Sequence, residues 1–425
     1  MKYIDEYRDG GLARSIAATI AKEAVSGRHY KFMEFCGGHT HAISRYGIED
    51  LLPSNVEMVH GPGCPVCVLP VGRIDDAIRL AMRSEVTLCT YADLMRVPAS
   101  GGASLMKAKA AGADIRMIYS SMDAVLIAEA EPTRQVVFFA IGFETTTPST
   151  ALSIRLARRK QLTNFTVFCN HVLTPPAIRA ILDTANLPEI ERVLVDGFVG
   201  PAHVSTVIGT SPYVALAAEF EKPVVVAGFE PLDVMQAILM LVRQVNEGRR
   251  EVENQYIRAV TAGGNLIAQR EIAEIFELRD SFEWRGLGEL PVSALRLRHA
   301  YAQFDAEQRF DVVSVPASDN PACECGDVLR GLKKPADCKL FGTVCSPETP
   351  MGSCMVSSEG ACAAHWTYGR FRDRVKANAA QTSPLKPSDV QAAACLRRGC
   401  APASWISVTD SLICPMARAD GRQRS

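Results

Sequence analysis

An α/β fold is predicted for this chain, with two similar parallel-sheet α/β domains around a cleft and a third, mainly helical and cysteine-rich domain after them. Three observations predict it. Between positions 30 and 235, short apolar runs alternate with helical patterns every 25 to 35 residues or so (roughly), the rhythm of strand–helix–strand units. The runs are apolar at nearly every position, which suits strands covered on both faces of a parallel sheet. Six cysteines then fall between positions 323 and 362, in a stretch whose Gly and Pro residues indicate loops wrapped around a metal site.

In chain order, residues 1–29 read as an N-terminal helix that packs with the third domain. Domain I (30–128) takes its strands from KFMEFC, VEMVH, EVTLCT and IRMIYS, and domain II (129–235) from QVVFFAIG, FTVFCNH, RVLVDGFVG and PVVVAGFE. Helical patterns such as GRIDDAIRLAMR and PPAIRAILDTA lie between them. The Pro- and Glu-rich EAEPTR at 129–134 reads as the linker between the halves, whose similar beginnings suggest duplication. Domain III (236–370) opens on three helical patterns, PLDVMQAILMLVRQVNEG, REVENQYIRAV and NLIAQREIAEIFELRD, before the cysteine-rich segment. Residues 371–425 turn polar and Ala/Pro-rich, the composition of a poorly ordered extension.

Charge excludes some functions. Lys+Arg 46 against Asp+Glu 47 leaves a net charge of -1, so no global field draws the protein to nucleic acid or to an anionic membrane. The N-terminal segment lacks a signal-peptide pattern and apolar runs such as VVFFAIGF are too short to span a bilayer, so a soluble cytoplasmic protein is expected. In that compartment 14 cysteines argue for metal ligation or redox work more than for structural disulfides.

Ligands of open parallel sheets bind beyond the carboxyl ends of the strands, where loops and helix N-termini converge. There the first strand ends in Cys36-Gly37-Gly38-His39-Thr40-His41 and the second in Gly61-Pro62-Gly63-Cys64-Pro65-Val66-Cys67. The fifth ends in Gly142-Phe143-Glu144-Thr145-Thr146-Thr147-Pro148, and later strands end in Asn170-His171, Gly200-Pro201-Ala202-His203 and Gly228-Phe229-Glu230. A thiol at a helix start gains thiolate character from free N–H groups, so Cys36, Cys64 and Cys67 are candidate metal ligands or nucleophiles. A structural zinc site and a thioredoxin-like dithiol at Cys64 and Cys67 are the alternatives. Glu144 and its threonines offer a carboxylate and hydroxyls, with ordinary helix capping as the plainer explanation. The same plainness covers His171 and His203 as satisfied polar groups, while Cys89 and Cys169 read as core residues inside strands. No phosphate-loop, dinucleotide-binding or nucleophile-elbow motif is present, so nucleotide hydrolysis has no site in the sequence. Gly-Gly-Ala-Ser at 101–104 is equally a turn before a helix or an anion site.

The cysteine-rich spacing is C-x-C, then gaps of twelve, six, eight and seven residues to the next cysteines. Soft thiolates suit an iron–sulfur cluster or zinc, and six exceed what either needs, so the surplus pair points to redox chemistry beside a cluster. A zinc-bound structural knot is the alternative.

Taken together, CGGHTHAI, GPGCPVC, GFETTTP, GPAHVSTVIG, EWRGLGEL and the CECG…CMVSSEGAC segment resemble the HypD family of hydrogenase maturation factors, over about residues 10 to 370. The resemblance implies two related α/β domains around a cleft and a third domain with a [4Fe-4S] cluster. It implies a platform on which the Fe(CN)2CO group of [NiFe] hydrogenases is built, as transient Fe(II) carrying CN and CO. The implied partners are the small chaperone HypC and the cyanide donor HypE, which HypF supplies from carbamoyl phosphate. Carried onto this sequence, the iron-holding cysteine falls on Cys36, with the partner's N-terminal cysteine as second ligand, and the cleft dithiol on Cys64 and Cys67. The implied cluster ligands are Cys323, Cys338, Cys345 and Cys362, leaving Cys325 and Cys354 as a redox pair, in similarity to ferredoxin–thioredoxin reductase. Glu144, His39, His41 and His203 are then expected to shape the cleft. Most members end near residue 370; the extension here carries Cys395, Cys400 and Cys414, read as incidental more than as a metal site. From another class, a free-standing iron–sulfur thiol reductase working through Cys325 and Cys354 is the rival, and the elaborate strand-end motifs weigh against it.

Overall fold

The computed structural model describes residues 5–183, 193–315 and 317–370. All eight apolar runs contain strands: β1 (Tyr30–Glu34), β2 (Val56–His60), β3 (Val86–Thr90), β4 (Ile115–Met117), β5 (Gln135–Gly142), β6 (Phe165–His171), β7 (Gly197–Gly200) and β8 (Val224–Val226). A ninth, β9 (Val252–Asn254), follows the helix Pro231–Glu247. They form two parallel sheets, one ordered β2-β1-β7-β8-β9 and the other β4-β3-β5-β6. β5 is buried at every position after Gln135, as a strand with helices on both faces must be.

Pairing corrects the division at 129–134. β3 pairs directly with β5 across that segment, and β1 pairs with β7, so the four-stranded unit is inserted between the first two strands of the five-stranded sheet and its last three. EAEPTR is tied to its own sheet: Glu131 accepts from Arg116 at 2.9 Å, and Arg134 donates to the carbonyls of Ser84 and Val86, each at 2.6 Å. Composition suggested a linker because charge and proline mark any exposed turn, including one between a helix and the next strand.

The N-terminal helix, Gly10–Glu23, is capped by Asp9, whose carboxylate accepts from the N–H groups of Gly11 and Leu12. Ala13, Ala17 and Ile20 make its buried stripe. That stripe faces the helix Pro231–Glu247 over the five-stranded sheet, and Arg243 clamps Glu23 at 2.7 Å. Its partner is therefore the first of the helices assigned to the third domain, and that helix itself covers the five-stranded sheet.

The third region is also less helical than expected. REVENQYIRAV supplies β9 to the five-stranded sheet, and NLIAQREIAEIFELRD ends its helix at Ile275. Two small antiparallel pairs follow, β10 (Phe276–Leu278) with β13 (Leu295–Leu297) and β11 (Ser281–Trp284) with β12 (Gly288–Pro291). Short apolar/polar alternations, as in Ser281-Phe282-Glu283-Trp284 and Leu295-Arg296-Leu297, bury every second side chain and favour strands there. The cysteine-rich segment joins one continuous apolar core with residues of both parallel sheets, Phe35 and Phe198 from one side and Phe139 and Phe168 from the other. Among the described residues, no helix is long and apolar enough to cross a membrane.

Candidate functional site

β1 ends in a turn that makes Cys36 the N-cap of the helix Gly37–Tyr46. β2 ends beside it: the Gly37 N–H donates to the Gly63 carbonyl at 3.1 Å, placing Cys64 one residue from the Cys36 turn. Cys64 caps the short helix Pro65–Val68 and forms a disulfide with Cys67, with Cα atoms 5.2 Å apart. The sulfurs expected at the cleft are sealed from solvent, with Cys36, Cys64 and Cys67 at 6, 3 and 0 % exposure. Part of the seal comes from the cysteine-rich segment, because Glu359 lies so close over Gly37 that a Cβ there would stand 2.4 Å from its own.

Burial drives the Cys36 thiol up to about 12, with the Glu359 and Glu34 carboxylates pushing the same way and the N–H groups of Gly38 and His203 opposing. The resting group is a protonated thiol. Glu34, wholly buried at the end of β1, accepts from the Cys36 N–H at 2.9 Å and from the Thr40 hydroxyl, and pairs with His60 Nδ1 at 2.9 Å. Burial alone lowers the His60 imidazole, but the Glu34 hydrogen bond and charge outweigh it and the net shift is upward.

His39 is buried with Nε2 at 3.0 Å from the carbonyls of Ala227 and Gly228, and desolvation keeps it neutral. Its ring and that of His203 sit on Phe229, at centroid distances of 4.9 and 4.1 Å. Both therefore belong to the Cys36 neighbourhood. His41 instead meets the Tyr368 hydroxyl at 3.0 Å. Glu144 accepts from the Thr174 N–H at 2.9 Å and its hydroxyl at 3.0 Å, and Tyr213 has both Glu144 and Cys36 as electrostatic neighbours. Thr146 and Thr147 donate back to the carbonyls of Ile141 and Phe143, so they bind the preceding turn and do not cap the helix in the ordinary way. His171 is also structural, bonded to Thr150 at 2.9 Å and held down to about 4 by burial. Cys89 and Cys169 are buried within β3 and β6.

Burial raises the Glu144 carboxyl to about 7, against the pull of its own N–H and of Thr174. A raised acid contributes stability that is present below its ordinary value of 4.5 and is lost as pH climbs through about 7. Glu144→Gln should thus be more stable than the parent above pH 7, by at most about 3 kcal/mol, with the gap closing below pH 4.5. Urea midpoints across that range measure it.

All six clustered cysteines are unbonded. The Cys325 thiol is in hydrogen-bonding contact with those of Cys323, Cys354 and Cys362, and Cys354 also meets Cys362. Cys345 has Cys323 and Cys338 as electrostatic neighbours. The Cys323 thiol is held down to about 7, chiefly by its bond with Cys325. Gly352 supplies room: a Cβ on it would meet the Cys323 and Cys325 sulfurs at 2.4 and 2.5 Å. Ser353 then donates to the Cys67 carbonyl at 2.8 Å, which sets Cys354 beside the disulfide turn. Among the described residues, no three His, Cys, Asp or Glu side chains surround a single ion position. An iron–sulfur cube asks for one thiolate on each of four irons and not for four around one point, and a thiol-only donor set with a glycine cradle fits it. Cys395, Cys400 and Cys414 lie outside the described residues.

Sequence reasoning missed Glu34, His60, Tyr213 and Glu359. Glu34 had a signal, a lone carboxylate inside an apolar strand, whereas Glu359 sits in a loop whose neighbours only the fold reveals.

A family model, HypD, described as the hydrogenase formation hypA family, matches residues 11–369. The chain is 72% identical to the hydrogenase maturation factor HypD of Rhizobium leguminosarum bv. viciae over 376 residues, 88% of this chain and 98% of the relative. It is 67% identical to the protein of that name from Cupriavidus necator over 373 residues, again 88% and 98%. The Escherichia coli protein is 47% identical over 373 residues, 87% of this chain and 98% of its own.

Proposed function

The chain belongs to the HypD family of hydrogenase maturation factors, and on that premise we propose that it is the scaffold on which the Fe(CN)2CO group of [NiFe] hydrogenases is assembled. In this reading its cargo iron is held by Cys36 together with a HypC-type small chaperone, and cyanide is accepted from HypE. One observation carries the reading: three sulfur groups are contiguous, from Cys36 through the Cys64–Cys67 disulfide and Ser353 to Cys354 and its thiol neighbours.

A [4Fe-4S] cluster would be held by four of the six clustered cysteines, Cys323, Cys338, Cys345 and Cys362 in the family's pattern, with Cys325 and Cys354 as the pair. Bound there, it would supply one-electron redox chemistry next to a disulfide. The chain's own residues do the rest. Cys36 offers a thiol that gives up its proton as iron replaces it, and Glu34 and Glu359 are the carboxylates whose charge that proton loss must oppose. His39, His203 and Phe229 wall the site, and its burial excludes water that would compete for iron or carry cyanide away. Glu34 fixes the turn by gripping the Cys36 N–H.

Anaerobic copurification with the small partner tests the proposal. Infrared spectra should show CN and CO stretches, and metal analysis should find iron beyond that of one cluster. A preparation holding cluster iron only, with no such stretches and with disulfide reductase activity, would favour the rival thiol reductase instead.

A further inference from the structure

The Trp284-Arg285-Gly286 segment takes no part in that function, yet it stands between the Cys64–Cys67 turn and the six-cysteine segment. Trp284 anchors it from within the core, its indole N–H donating to Ser293 Oγ at 3.0 Å. The Arg285 backbone N–H donates to the carbonyl of Val68, the residue after Cys67, at 2.8 Å. Gly286, at φ +81°, abuts Gly326, the residue after Cys325, so tightly that a Cβ would stand 2.7 Å from the Gly326 Cα. The turn is therefore clamped to both cysteine motifs.

Its side chain has an unfinished set of hydrogen bonds. Arg285 is 4 % exposed; Nε donates to Asp319 at 2.7 Å and Nη2 to the Pro98 carbonyl at 3.3 Å. Nη1 is buried without a partner. Buried guanidinium N–H groups are almost always paired, and the Cys323 thiol lies within the field of this one. We propose that Arg285 is a positioning residue for the sulfur relay, its Nη1–H donating to anionic sulfur carried by the six-cysteine segment while its backbone ties that segment to the Cys64–Cys67 turn.

This rests on the cluster of the proposed function. Hydrogen bonds and positive charge beside a cluster raise its reduction potential. A redox titration followed by electron paramagnetic resonance, on the full chain purified anaerobically, reads the effect. Arg285→Met is expected to shift the midpoint downward and Arg285→Lys by less, since a charge remains without the planar fork. Asp319→Asn, at a side chain 41 % exposed, removes the competing carboxylate and is expected to shift the midpoint upward. If Arg285→Met fails to fold by circular dichroism, the opposed shifts of the other two decide. Unmoved midpoints, or shifts of one sign throughout, overturn the role of Arg285 alone; a parent protein with no iron–sulfur signal overturns the cluster reading as well.

Discussion

Cys36→Ala is expected to erase the CN and CO stretches from the anaerobic complex with the small partner while leaving cluster iron and the melting temperature nearly unchanged. The argument is local. The turn is held chiefly by other groups, Gly37 N–H on the Gly63 carbonyl and Cys36 N–H on Glu34, while the thiol only receives the N–H groups of Gly38 and His203. Its removal takes away one metal ligand and little else, so cargo iron should leave without collapse of the site. The protonation of that thiol adds a second measurement. With the group pushed up to about 12, iron must displace a proton, so the apparent affinity of Cys36 for Fe(II) should rise about tenfold per pH unit between 7 and 9. Stretches that persist in Cys36→Ala would move the cargo site elsewhere and sink the assignment.

Glu34→Ala is expected to have the largest effect on stability, a loss of about 3–5 kcal/mol, because it leaves the Cys36 N–H, the Thr40 hydroxyl and the part-buried His60 ring without their shared partner. The pH dependence has a definite sign. The folded pKa of His60 lies above its ordinary 6.5, so the stability gained from the Glu34–His60 pair is complete below about pH 6.5 and is lost as pH rises through the raised folded value. The gap in urea midpoint between the parent and Glu34→Ala should accordingly be wider at pH 6 than at pH 9. A gap that widens toward pH 9 would mean that His60 is neutral in the fold and that Glu34 serves the backbone alone.

Such residues show where legibility in the sequence stops. Cys36, Cys64 and Cys67 were readable because a sulfur beside glycines at the end of an apolar run has few plain explanations. His41 and His171 carried the same outward pattern and turn out to be bonded to Tyr368 and Thr150. A strand-end histidine announces only that a polar group lies at the sheet's edge; which neighbour satisfies it depends on chain that arrives from elsewhere. Glu359 illustrates the converse, an ordinary loop glutamate that becomes part of the Cys36 environment once the cysteine-rich segment folds over Gly37.

By itself, then, the sequence determined the eight strands β1 to β8, the candidate cysteines and the family motifs, since periodicity, apolar runs and cysteine spacing are local properties that survive in any arrangement of the chain. Only the tertiary structure decided that the four-stranded unit is inserted within the five-stranded one, that the N-terminal helix lies on Pro231–Glu247, and that the sulfurs are sealed. The physical reason is that these depend on pairings between distant segments. The contact joining Ser353 to Cys67 spans 286 residues, and no local pattern encodes which of many apolar faces will close upon another.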